Sequence, residues 1–256
     1  MLRMFYADLR STLRNKGFIE CCAGIAVYMA GFVIILSLIM DMMKKGDRIS
    51  AEEIMNAYSD MGILVVTAAT IFVFNTDFAD GIIRNKLICG VKRRGIAASS
   101  VTCGMIVGAL ISISAIVAGN LLVPFFSSGY ISYTVSEAVG SFLVFILSSM
   151  AVGAFATMLM MVLGGTKAVY VAGLAIAFGL KVFGMDVMEK LYPESGECLL
   201  SGSKLILYRA YDRFVPYAHF AFFRRWAMSD YIIGSAVCIL ISYLAAVLIL
   251  ERKEIR

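Results

Sequence analysis

Six runs of apolar residues, each long enough to cross a bilayer, alternate along the chain with polar or basic stretches. A helix needs about 20 apolar residues to span the hydrocarbon core, so the pattern predicts spans over 18–40, 61–78, 96–120, 138–163, 168–184 and 231–250. Between the first two, residues 41–60 are polar and slightly acidic, with one or two helical turns expected over 51–58. The third span is expected to end near Pro124, and the loop 125–136 holds no Lys or Arg. Gly164, Gly165, Thr166 and Lys167 make a tight turn into the fifth span. Residues 185–230 are mixed and aromatic-rich, yet too short for two more crossings. With Pro216 in their midst, they are expected to lie outside and re-enter the membrane in part, shielded by protein. Near the N-terminus, Leu2, Phe5, Leu9 and Leu13 recur at helical spacing, with Arg3, Arg10 and Arg14 along one side of the stripe and Asp8 at its other edge. Residues 1–17 therefore read as an amphipathic helix in the membrane interface.

Composition agrees with this pattern. The chain is 61% hydrophobic and 16% charged, with a mean hydropathy of +0.86, whereas soluble domains are about half apolar and a quarter charged. The expected fold is all-α, a single transmembrane domain over 1–256. No cleavable signal is expected, because charges extend through Lys16 and the first apolar run is too long for a signal core. The net charge of +5 reads as topological bias, since Lys and Arg collect on the cytosolic side. The N-terminal helix, residues 80–95, Lys167 and the C-terminal tail hold 13 of the 23 Lys and Arg. Six of those on the other face lie in 185–230, where length weakens their effect. Both termini are therefore expected inside. No basic patch with interleaved aromatics forms a nucleic-acid module.

Chemistry-bearing groups are sparse. The six cysteines show no CxxC pair and fall mostly in or beside apolar runs, which favours buried thiols; only Cys198 is expected outside. His219, the single histidine, has no carboxylate or cysteine at ligand spacing and is read as structural. Glu20, Asp60 and Lys181 lie near span ends, where snorkelling, or for the two acids an interface, explains them, so no proton relay is apparent. Gly104 and Gly108 form a GxxxG pair suited to close helix packing. The Met158, Met160 and Met161 group could give an adaptable surface but is read as lipid-facing packing. Thr67, Thr70 and Phe74 share one face of the second span. Aromatic residues Tyr208–Trp226, punctuated by Arg209, Arg213, Arg224 and Arg225, suit interfacial anchoring. Gly164-Gly165-Thr166-Lys167 has the wrong order for a phosphate-binding loop, so the chain is not expected to hydrolyse ATP.

The segment after the second span carries the functional signal. Asp77 and Asp80 end that span, Gly81 lets the chain turn, and Ile82, Ile83 and Leu87 leave one side apolar while Arg84, Lys86 and Lys92–Arg94 supply charge. The string Asp80-Gly-Ile-Ile-Arg-Asn-Lys-Leu87 resembles the coupling segment of ABC type 2 permeases, the membrane subunits of bacterial ATP-binding-cassette exporters. Gly81, Ile83, Arg84, Asn85, Lys86 and Leu87 match; Ile82 stands where threonine is frequent. Chain length, six spans, the amphipathic N-terminal helix and the long external segment are also similar to that family.

The resemblance implies a subunit of the bacterial cytoplasmic membrane that pairs with a second, identical or similar permease, each seated on a cytosolic ATPase. Residues 79–95 would be the coupling segment, with Asp80, Gly81, Arg84, Asn85, Lys86, Leu87 and Arg93 at the contact. ATP and magnesium would belong to the partner, with no cofactor in this chain. Thr67, Thr70 and Phe74 would line the path, and Tyr211, Phe214, Tyr217 and Phe220 would form an external lid. An apolar lining suits a hydrophobic or amphipathic cargo, a peptide first of all. A stand-alone carrier, a membrane-embedded enzyme and a non-transporting immunity protein of the same fold stay open as alternatives.

Overall fold

The computed structural model describes residues 2–42, 48–79, 81–164, 166–193, 198, 200–220 and 225–252. Asp80, Gly165, Phe222, Phe223 and Arg224 lie outside the described residues. Among the described residues, six helices are long and apolar enough to cross a membrane. These are α2 (Lys16–Met42), α3 (Ala51–Ala79), α5 (Arg93–Phe126), α6 (Val135–Leu163), α7 (Ala168–Leu191) and α9 (Met228–Arg252). Three shorter helices accompany them: α1 (Leu2–Arg14), α4 (Ile82–Ile88) and α8 (Gly202–Phe214), the last followed by a 3-10 turn at Pro216–Ala218. The chain is an all-α, polytopic membrane protein.

The spans start and stop where packing and capping dictate, which differs from where apolarity alone would put them. The stretch 51–58, expected as separate turns, is the start of α3. Ser50 and Glu53 cap it reciprocally, Ser50 N–H donating to Glu53 Oε2 at 3.0 Å and Glu53 N–H to Ser50 Oγ at 3.2 Å, a capping box. Ala51, Ile54, Met55, Ala57 and Tyr58 are then buried, so tertiary contacts hold the polar-looking turns helical. Thr134 and Glu137 box the start of α6 in the same way. Helix α5 ends near Pro124 as expected, at Phe126 two residues beyond it; so near the terminus the missing N–H of the proline removes little of the ladder. The fifth span reaches Leu191 rather than 184, with Val187 and Leu191 buried.

Helix α3 is the central column, packing against α2, α5, α6 and α7. Lipid tails are as apolar as leucine, so close approach of backbones holds such bundles together. The GxxxG pair supplies it inside the chain, at the α5–α6 crossing. A Cβ at Gly108 would stand 2.1 Å from the Ser149 carbonyl oxygen, and one at Gly153 would stand 2.2 Å from that of Gly104. Side chains cannot be accommodated there without separating the two backbones.

The loops gather at two ends. At one, α1 and α4 meet, and Phe78 lies against the Gly164 turn. At the other, Ala51 N–H donates to the Gly129 carbonyl at 3.0 Å, and Glu52 Oε1 accepts from Ile131 N–H at 2.9 Å and Ser132 N–H at 2.8 Å. Lys181 meets Asp60 at this end too, an ion pair that replaces simple snorkelling. The buried-thiol expectation holds for Cys103 but not for Cys89, which is exposed.

Gly108→Leu is expected to lower the thermal midpoint in detergent sharply, at an overpacking cost of about 1–3 kcal/mol or more. Gly179→Leu, at a position with open space around it, is expected to leave the midpoint unchanged.

Candidate functional site

Helix α4 is seated by local chemistry on both sides. Gly81 takes φ 68°, a left-handed conformation that starts the helix directly after α3. Gly90, at φ 83°, closes it, while Val91 N–H donates to the Lys86 carbonyl at 3.1 Å. Ile83 is buried and Leu87 packs against the core, so the apolar side faces the bundle. Arg84 and Asn85 are exposed.

Lys86 is used inside the chain. Its Nζ lies 2.8 Å from Asp8 Oδ1, and Asp8 Oδ2 accepts a 2.6 Å hydrogen bond from the Ser99 hydroxyl. One carboxylate of α1 therefore ties α4 to α5. Arg93 donates to the Leu250 and Glu251 carbonyls at the end of α9, groups that a helix terminus leaves unpaired. Arg94 Nε meets Glu251 Oε1 at 2.7 Å. Of the basic residues singled out in this segment, Lys86 and Arg93 thus hold the end of the bundle together, and Arg84 points away from it.

Thr67, Thr70 and Phe74 are buried in α3. The Thr70 hydroxyl donates to the Val66 carbonyl at 2.7 Å, and Gly173 of α7 brings that helix close to Ile71 and Thr67. Thr67 is thus covered by α7 on this side.

At the opposite end, the four aromatic residues take different positions. The Tyr211 hydroxyl donates to the Leu180 carbonyl at 2.8 Å, and Phe214 is exposed beside the Arg213 guanidinium. Tyr217 packs edge-on against Phe155, while Phe220 packs between Tyr58 and Phe145, both within the bundle. The 3-10 turn is inserted among α6, α7 and α9.

A network that the sequence did not reveal holds this region. Asp212 is fully buried and accepts from Arg225 Nη2 at 2.7 Å, Trp226 Nε1 at 3.1 Å and the Tyr192 hydroxyl at 3.2 Å. Arg225 donates also to the Ala218 carbonyl, and Arg213 pairs with Asp230 at 2.8 Å. His219 lies 3.2 Å from the Arg213 carbonyl through Nε2 and 3.2 Å from Ser148 Oγ through Nδ1. A carbonyl only accepts, so Nε2 carries the proton and Nδ1 accepts from the serine. Burial, with the nearby Arg225 charge adding to it, pushes His219 down to about 4. No sequence spacing links Asp212 to Arg225 in a recognisable motif; a single acid among Arg209, Arg213 and Arg225 was the available signal.

The fold and these two ends define a polytopic membrane protein of six spanning helices, consistent with a transport role in general. No protein-family model matches the chain, and no curated protein matches it.

With its folded value near 4 against an ordinary 6.5, His219 binds fewer protons in the folded state than in the unfolded one between those limits. Stability is therefore expected to be complete above pH 6.5 and to fall as pH drops toward 4, by up to about 1.4 kcal/mol per unit. Thermal midpoints of wild type and His219→Gln across pH 4–7 check this: the variant should lose part of the slope.

Proposed function

We propose that this chain is the permease subunit of a bacterial ATP-binding-cassette exporter and moves a hydrophobic or amphipathic cargo, a peptide first of all, outward through the cytoplasmic membrane. The observation that carries the reading is α4: a short helix between two spans, apolar toward the bundle, with Arg84 and Asn85 exposed in the string that resembles a coupling segment. In this reading both termini and α4 are cytosolic. A cassette ATPase receives Arg84 and Asn85 in a groove, and its closure reaches α3 across Gly81.

Helix α3 is where such a movement matters, because it packs against four other spans and carries Thr67, Thr70 and Phe74. Displacing it from α7 would expose these residues to a path shared with a second permease subunit. Tyr211, Phe214, Tyr217 and Phe220 would then cover the exit. Lys86 and Leu87 act in this scheme by holding α4 to α1 and the core, and Arg93 by holding α5 to α9. ATP and magnesium belong to the partner.

Arg84→Glu with Asn85→Glu, both at exposed positions, is expected to abolish co-purification with the cassette ATPase and to cut coupled ATP hydrolysis about tenfold or more. Arg48→Glu, exposed at the other end, is expected to change neither. An intact, fully coupled complex from the double variant would refute the docking role.

A further inference from the structure

Helices α3 and α7 run antiparallel along a seam whose contacts differ from one end to the other. Near the α4 end, Asn75 Nδ2 donates to the Tyr170 hydroxyl at 3.4 Å. In the middle, Gly173 admits the Ile71 side chain: a Cβ there would stand 2.2 Å from Ile71 Cδ1 and 3.9 Å from Thr67 Cγ2. A glycine has no side chain to interlock, so this part of the seam is smooth. About 12 Å further along α7, at the rise of a helix, Lys181 Nζ donates to the Asp60 carbonyl and lies 3.5 Å from Asp60 Oδ1.

The two partners of this contact are placed unequally. The Lys181 side chain is 17% exposed and that of Asp60 59%. A largely enclosed ammonium is costly without acceptors, and Asp60 of α3 supplies two. Water contests a carboxylate so exposed, which keeps such pairs weak. The contact therefore holds α7 against α3 without fixing it there. On its other side, the same turn of α7 is fastened to α8. The Tyr211 hydroxyl donates to the Leu180 carbonyl at 2.8 Å, and Phe183 meets Tyr211 and Tyr208 edge-on, with centroids 4.7 and 5.7 Å apart. Losing Lys181 thus frees α7 from α3 at this end while α8 still holds the turn. Behind the seam, the buried Thr67 hydroxyl has no hydrogen-bond partner among the described residues. Water entering an opened seam would give it one, which offsets part of the cost of opening.

We propose that Lys181 and Asp60 form a latch: with the contact made, α7 closes over Thr67, and with it broken the seam opens to water from the α8 end. The latch requires neither a motor protein nor a cargo, so it stands apart from the permease reading.

The test is the rate at which N-ethylmaleimide alkylates Thr67→Cys in protein reconstituted into lipid nanodiscs, the modified position being identified by peptide mass spectrometry. A thiol reacts through its thiolate, so the rate reports water at position 67. Adding Lys181→Met should raise it about tenfold or more. Adding Lys181→Arg, which keeps the charge and the donors, should leave it within about threefold of the parent. Lys190→Met breaks a pair within α7 itself, Lys190 with Asp186 at 2.8 Å, and should change nothing. The buried native Cys103 should stay unmodified throughout, which separates an opened seam from general loosening. An unchanged rate with Lys181→Met, an equal rise with Lys181→Arg or Lys190→Met, or modification of Cys103 along with position 67 would overturn the latch.

Discussion

The ion pair between Asp8 and Lys86 is the interaction on which the α4 end depends. It joins a helix outside the bundle to the short helix between two spans, and the Ser99 hydroxyl on the same carboxylate brings in α5. Both side chains are mostly buried, at 13% and 17% exposure. Removing one partner of a largely buried pair costs about 3–5 kcal/mol, because the remaining charge keeps its desolvation cost and loses its counter-ion. Helix α4 therefore cannot swing freely on Gly81; any force applied to Arg84 or Asn85 passes into α1, α3 and α5 together.

Between the ends, the bundle obeys the rules of an apolar solvent. Gly104, Gly108 and Gly153 bring α5 and α6 into backbone contact, and buried hydroxyls such as Tyr58 and Ser149, 2.8 Å apart, bond across helices. Ion pairs among the described residues lie toward the two ends, Lys86 with Asp8 and Arg94 with Glu251 at one, Arg213 with Asp230 and Arg225 with Asp212 at the other. Asp212 follows the same logic at the α8 end, where three donors make one buried carboxylate tolerable. The result is a middle held by shape and two ends held by charge.

The spans were legible because long uncharged runs have few physical alternatives. Their limits were less so. Residues 51–58 look polar in sequence, yet Ile54, Met55 and Tyr58 lie on the side of α3 that the bundle buries. Pro124 marks the end of α5 only to within two residues. At the site, the apolar and exposed sides of α4 followed from local spacing. The employment of Lys86 did not, because its partner lies far away in sequence on another amphipathic helix. Likewise, the aromatic residues of α8 and the turn after it were visible as a group, whereas their division into buried Tyr217 and Phe220 and exposed Phe214 is set by tertiary insertion.

In the proposed function α4, tied to the bundle through Lys86 and Asp8, offers Arg84 to a motor protein. This is tested most directly by placing a photoreactive residue at position 84 and irradiating intact cells. Docking of α4 on a motor predicts a crosslinked adduct whose second component, identified by mass spectrometry, is a nucleotide-binding cassette ATPase. Adducts containing only lipid or a second copy of this chain would contradict it.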